Sequence, residues 1–135
     1  MSDAIISVLA QADHPAQATA ATTETFVVGE AQYDAEVTEA TLIPSGPLTA
    51  DNTNYRTFTL QNKGGDGLAS RVIATLVTNT AGGNWVAGDE KKMTVTTQAL
   101  DKVIVSNDVF VVVETVAGAG VAHPNIQVTV KGKRR

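Results

Sequence analysis

The chain has no cysteine, and aromatic residues make up only 4% of its 135 positions. Without thiols it has no disulfide framework, no zinc–thiolate site and no cysteine nucleophile. With so few aromatic rings, the core must be built mainly from valine, isoleucine, leucine and alanine. Hydrophobic residues reach 43% of the chain, which is enough for the core of one domain.

Long apolar runs and a basic body are also lacking. No run approaches the ~20 residues of a membrane span, and no basic stretch precedes the short apolar segment near the N-terminus, so we expect neither membrane association nor a secretory signal. Four positive charges fall in residues 131–135, so the formal net charge of −4 becomes −8 over residues 1–130. An acidic body argues against nucleic acid as a partner.

Short alternating runs are the dominant pattern. Phe58 and Leu60 share one face of a strand-like run at residues 55–61, and residues 126–130 alternate in the same way. Turn-forming residues separate such runs roughly every 8–12 positions. The pattern predicts an all-β protein, an antiparallel, jelly-roll-like β-sandwich of about eight strands.

Composition divides the chain into three segments. Residues 1–24 are rich in alanine, threonine and glutamine, which predicts an extended N-terminal arm outside the sandwich that orders on assembly. Residues 25–130 form the β-sandwich domain, and residues 131–135 form a mobile basic tail. Within the domain, residues 109–116 are the most hydrophobic run. We therefore predict burial of Val109, Val111, Val113 and, beside them, Val128.

No residue pattern indicates catalysis. His14 and His123 are the only histidines, each precedes a proline, and no His-x-His or Glu-x-x-His spacing is present. We expect both to be exposed loop residues, with no metal site. The glycine-rich segments 64–67 and 82–83 lead into strand-like runs and are interpreted as hairpin turns rather than phosphate loops. These observations predict a non-enzymatic protein without a cofactor.

A few residues are candidates for interaction with a partner. Trp85 and Tyr55 are amphipathic aromatics that serve either as surface anchors or as partly buried packing residues. The basic residues of the tail either contact phosphate or an acidic protein surface, or simply keep the chain end in solution. The candidate interaction residues are therefore Trp85, Tyr55, Lys131, Lys133, Arg134 and Arg135.

Three segments resemble those of small structural proteins of tailed bacteriophages. They are Thr-Ala-Asp-Asn-Thr-Asn-Tyr-Arg-Thr-Phe-Thr-Leu-Gln-Asn-Lys-Gly at 49–64, Val-Ile-Ala-Thr-Leu at 72–76, and Ser-Asn-Asp-Val-Phe-Val-Val at 106–112 followed by Gly-Ala-Gly at 118–120. Ser106-Asn107 stands where Ala-Gly is common in those proteins. The resemblance covers about residues 26–130 and implies a virion β-sandwich of the capsid decoration (cement) or head-fibre-base type.

The resemblance also implies a function. Such a protein decorates and stabilises the outer surface of the capsid, with the major capsid protein as its partner and a homo-oligomer, preferably a trimer, as its working form. It would be made in the host cytoplasm and located on the capsid exterior of the virion. The alternative is a tail-fibre or receptor- and carbohydrate-binding module, in which Trp85 and Tyr55 would contact the ligand.

Overall fold

Ten antiparallel strands in two sheets make up the fold of residues 5–135, the part of the chain that the computed structural model describes. The first sheet has the order β1 (Ile6–His14), β10 (Ile126–Arg134) and β3 (Ala35–Pro44), followed by the short strands β6 (Lys91–Lys92) and β8 (Val103–Ile104) along the far side of β3. The second sheet has the order β2 (Glu24–Glu30), β9 (Val109–Ala117), β4 (Tyr55–Asn62), β5 (Arg71–Val77) and β7 (Thr94–Val95).

The strand pairs are nested along the chain. β1 pairs with β10, β2 with β9, β3 with β6 and β8, and β4 with β5. This nesting, wrapped into two facing sheets, is the jelly-roll arrangement. The predicted all-β jelly-roll-like sandwich is confirmed; three two-residue strands, β6, β7 and β8, bring the count to ten. No helix in residues 5–135 is long and apolar enough to cross a membrane.

The core between the sheets is mainly aliphatic and follows the alternation in the sequence. Phe58 and Leu60 of β4 are fully buried. Ile126, Val128 and Val130 of β10 are 0–1% exposed and face them from the first sheet. The period of two in these strands therefore identified the inward face correctly.

Strand β9 presents the opposite face from the one predicted. Phe110 and Val112 are fully buried in the core. The predicted burial of Val111 is confirmed, at 4% exposed, although it lies outside the core cluster; Val109 and Val113 are only half-buried. Because this run is apolar on both faces, its composition did not distinguish the core face from the outer face.

The N-terminal segment is extended, as predicted, but residues 6–14 belong to the sandwich. β1 pairs with β10 from Ile6 to His14, with a bulge between Val8 and Ala10. Leu9 and Ala10 are part of the core cluster. The predicted boundary at residue 24 was wrong. β1 belongs to the first sheet, where it covers the hydrogen-bonding edge that β10 would otherwise expose. Residues 1–4, also assigned to the arm, lie outside the described residues.

The predicted basic tail is likewise part of a strand. Lys131 and Lys133 lie in β10, directly opposite Glu39 and Glu36 of β3, an arrangement in which opposite charges attract across the strands. Between them, Gly132 packs so closely on β3 that an added Cβ would overlap the Glu36 carbonyl oxygen. Backbone pairing and this close approach hold the segment in the sheet.

The placement of β1 predicts that Leu9→Ala lowers the free energy of unfolding by about 2 kcal/mol or more, because it leaves a cavity in the core. The neighbouring Val8 is 50% exposed, so Val8→Ala is a matched control expected to cost less than about 1 kcal/mol. Urea denaturation measures both. Equal, small losses would show that β1 contributes little to the core.

A buried histidine and glutamate cluster as the candidate functional site

Four ionisable side chains meet inside the sandwich. His14 ends β1, Glu24 begins β2, Glu114 lies in β9 and His123 lies in the β9–β10 loop. The side chains of His14, Glu114 and His123 are 0–1% exposed, whereas that of Glu24 is 29% exposed. Residues distant in sequence thus converge at one end of the core, beside the connection formed by residues 15–23.

The strand register brings the two carboxyl groups together. Glu24 pairs directly with Glu114 across β2 and β9, so both side chains lie on the same face of the sheet. Like charges in this position repel each other, and burial strengthens the repulsion. A stable fold therefore needs positive charge, or protons to share, between the two carboxyl groups.

The two imidazoles supply that compensation. His14 Nε2 lies 2.5 Å from Glu114 Oε2 and 3.5 Å from Glu24 Oε1. His123 Nε2 lies 3.0 Å from Glu114 Oε1 and 3.2 Å from Glu24 Oε1. Both histidines therefore turn the same ring nitrogen toward both carboxyl groups.

A backbone contact defines the tautomer of His123. Its Nδ1 lies 2.7 Å from the carbonyl oxygen of Pro124. A carbonyl oxygen only accepts, so Nδ1 carries the hydrogen and donates it. The lone pair of a neutral His123 would then lie at Nε2, directed at carboxylate oxygens. Nε2 therefore requires a proton or a cation.

Arg56 of β4 anchors the loops around the cluster. Its guanidinium group is fully buried and lies 3.5 Å from Glu114 Oε1. It also donates hydrogen bonds of 2.6–3.3 Å to the carbonyl oxygens of Thr19, Ala20, Thr22 and Val121. One side chain thus connects the second sheet to the β1–β2 connection and to the β9–β10 loop.

The same two loops bind each other directly. Gln17 and His123 exchange backbone hydrogen bonds of 3.0 and 3.1 Å. Gly120 has a φ of +69°, and a side chain there would overlap the Ala20 carbonyl oxygen. Glycine is required at this position because it both adopts the left-handed conformation and leaves room for the neighbouring loop.

The environment shifts two of the pKa values in opposite directions. Burial by itself raises the pKa of the Glu114 carboxyl, but contacts with His123, His14 and Glu24 outweigh it and lower the pKa to about 2. Burial likewise lowers the pKa of His123, but Glu114 and the Pro124 carbonyl outweigh it, so the pKa is raised overall. In this arrangement a Glu114 carboxylate next to a His123 imidazolium is the stable pair of charge states.

The expectation of exposed loop histidines was wrong. Both histidines are buried, and their partners come from β2 and β9. The spacing of these residues along the sequence therefore does not indicate the cluster. One signal was present in the sequence: Glu114 interrupts the most hydrophobic run of the chain. A carboxylate on the inner face of such a strand requires a buried partner. Because Val109, Val111 and Val113 were predicted to face inward, Glu114 was assigned to the outer face of β9.

The aromatic candidates lie elsewhere. Trp85 is 1% exposed, exchanges backbone hydrogen bonds with Leu48 and packs 5.7 Å from the Phe58 ring. Trp85 was predicted to be either a surface anchor or a packing residue. Its burial agrees with the packing role, because the buried ring cannot contact a ligand. Tyr55 is half-buried at the start of β4.

Three of the basic candidates, Lys131, Lys133 and Arg134, lie in β10, and Arg135 follows it directly. Lys131 and Lys133 face glutamates of β3. The Arg134 guanidinium lies 4.7 Å above the Tyr33 ring, a favourable cation–π contact. The Arg135 backbone N–H donates to the Asp34 carbonyl oxygen.

No family model, curated protein or solved structure matches this chain. The buried cluster is therefore interpreted from its own chemistry. Imidazole nitrogens and carboxylate oxygens share protons, and they are also common ligands of transition metals.

The Arg56 contacts predict that Arg56→Met lowers the free energy of unfolding by about 3–5 kcal/mol, because it leaves a buried carboxylate and several carbonyl groups without their partner. Arg71→Met, at the exposed first position of β5, is the matched control and should change stability by less than about 0.5 kcal/mol. Denaturant titration compares the two. Similar effects for both variants would contradict the anchoring role of Arg56.

The shifted pKa values predict a stability maximum for the metal-free protein between the ordinary values of 4.5 for glutamate and 6.5 for histidine. The Glu114 contribution is complete above 4.5 and is lost as the pH falls toward its folded value of about 2. The His123 contribution is complete below 6.5 and is lost as the pH rises through its raised folded value. Melting curves in the presence of a chelator test this, and a melting temperature that climbs steadily above pH 6.5 would contradict it.

Proposed function

We propose that this protein is a non-enzymatic structural module of a phage virion that binds the capsid exterior and stabilises the shell. The observation that carries the structural role is the inward orientation of the ionisable cluster: Glu114 and His14 are each 1% exposed. Side chains buried to this degree support a role in holding the fold together. The phage-like segments at 49–64, 72–76, 106–112 and 118–120 support the virion assignment.

The surface available for binding supports the same proposal. β1 and β2 are the edge strands of the two sheets and contact each other along one side of the sandwich. Ile6, Val8 and Val27 are 50–60% exposed on these strands, and we call this surface the β1–β2 edge. Open strand edges with apolar side chains favour pairing with another chain.

The proposed partners of the β1–β2 edge are the major capsid protein and further copies of this chain, with a trimer as the favoured assembly. Several weak contacts made together by a symmetric oligomer give strong attachment. A protein that binds only the assembled shell stabilises that shell by mass action.

The proposal predicts saturable binding of the purified protein to undecorated mature capsids and a higher capsid melting temperature. Ile6→Asp combined with Val27→Asp should weaken binding at least about tenfold, since it places charges in an apolar contact. Leu100→Asp is the matched control, because Leu100 is 81% exposed but lies outside both edge strands. Co-sedimentation and calorimetry provide the measurements.

Two results would count against the proposal. Absence of capsid binding would reject the decoration role, and binding to a glycan array in its place would favour the tail-fibre alternative. If the edge variant bound capsids as strongly as the wild type, the contact would have to lie on another surface of the protein. Analytical ultracentrifugation of the free protein tests the trimer separately.

A further inference from the structure

The cluster has the dimensions of a metal site. One ligand atom each from His14, Glu24, Glu114 and His123 lies within 4.8 Å of all the others. A tetrahedral ion with ligands at 2.0–2.1 Å has ligand–ligand distances of about 3.4 Å. The nitrogen–oxygen distances of 2.5, 3.0, 3.2 and 3.5 Å, which involve both oxygens of Glu114 and Oε1 of Glu24, span that value.

The surroundings orient His123 as a metal-binding histidine is oriented. The Nδ1–H of His123 donates to a backbone carbonyl, the usual outer contact of a histidine that binds metal through Nε2. Two buried polar atoms of the cluster, His14 Nδ1 and Glu114 Oε1, have no hydrogen-bond partner. His123 Nε2 and Arg56 Nη1 lie 3.0 and 3.5 Å from Glu114 Oε1. A buried carboxylate oxygen without a hydrogen bond, next to two imidazoles and a second carboxyl group, supports a cation at this position.

We propose that His14, Glu24, Glu114 and His123 bind one divalent transition-metal ion, for which Zn²⁺ is the probe. Two imidazole nitrogens with two carboxylate oxygens suit such ions, whereas Ca²⁺ and Mg²⁺ prefer oxygen ligands throughout. The ion takes the place of the proton between Nε2 and the carboxylates. Arg56, 3.5 Å from Glu114, stays outside the ligand set and keeps its contacts to the loop carbonyls.

Of the four ligands, Glu24 lies closest to the surface. The Glu24 side chain is 29% exposed, so it is the ligand that an incoming ion meets first. Glu24 is also the ligand whose substitution disturbs the core least.

The bound ion would fasten the two sheets at one end. His14 belongs to the first sheet, Glu24 and Glu114 belong to the second, and His123 comes from the loop between them. Binding to the folded state alone raises the melting temperature. This role does not depend on the proposed virion function, because it concerns the stability of the isolated protein.

The test uses untagged, chelator-treated protein titrated with ZnCl₂ near neutral pH, with binding followed by calorimetry and stability by thermal melting. We expect one equivalent to bind and the melting temperature to rise. Glu24→Gln should raise the Kd at least about tenfold. Glu30→Gln, at the exposed end of the same strand, should leave the Kd unchanged.

A direct readout on the wild-type protein keeps the proposal falsifiable even if a variant folds poorly. The chain has only two histidines, so long-range ¹H–¹⁵N spectra resolve both rings, and Zn²⁺ should shift the Nε2 resonance of each. Absence of saturable binding, or unchanged Nε2 resonances, would overturn the proposal and leave a cluster that shares protons only. An equal Kd for wild type and Glu24→Gln would also overturn it, because the ion would then lie elsewhere.

Discussion

The direct pairing of Glu24 with Glu114 is the constraint on which the rest of the interior depends. Two carboxyl groups on the same inner face exclude a purely aliphatic core at this end of the sandwich. His14 and His123 compensate for them only because the end of β1 and the β9–β10 loop are brought to the same place. Packing, loop conformation and charge compensation are therefore interdependent.

Much of the fold followed from local pattern. Strict alternation in β4 and β10 gave the correct inward faces, because one face of each of these strands is polar. The same reasoning was wrong for β9, where apolar side chains occupy both faces and the only informative residue is a buried charge. Arg56 carried a similar signal, since it shares the inward parity of Phe58 in β4. A charged residue at an inward position indicates a buried partner more reliably than any motif in this chain.

The candidate site and the placement of both chain ends depend on long-range contacts that no local pattern contains. The four cluster residues come from different strands and loops, so their spacing along the chain carries no metal-binding signature. The first 24 residues have the composition of a disordered arm, yet residues 6–14 form a full strand because β10 offers them an unpaired edge. Similarly, the lysines of β10 have the sequence of a solubilising tail. Only the pairing of β10 with β3 shows that glutamates lie opposite them.

The pairing of β1 with β10 has a consequence for the order of events during synthesis. β1 leaves the ribosome long before β10, and loop closure over nearly the whole described chain must precede their pairing. Until then Leu9 and its apolar neighbours have no sheet to join and are exposed to other nascent chains. Among the ten described strands, β1 is thus translated first and is among the last to join its sheet.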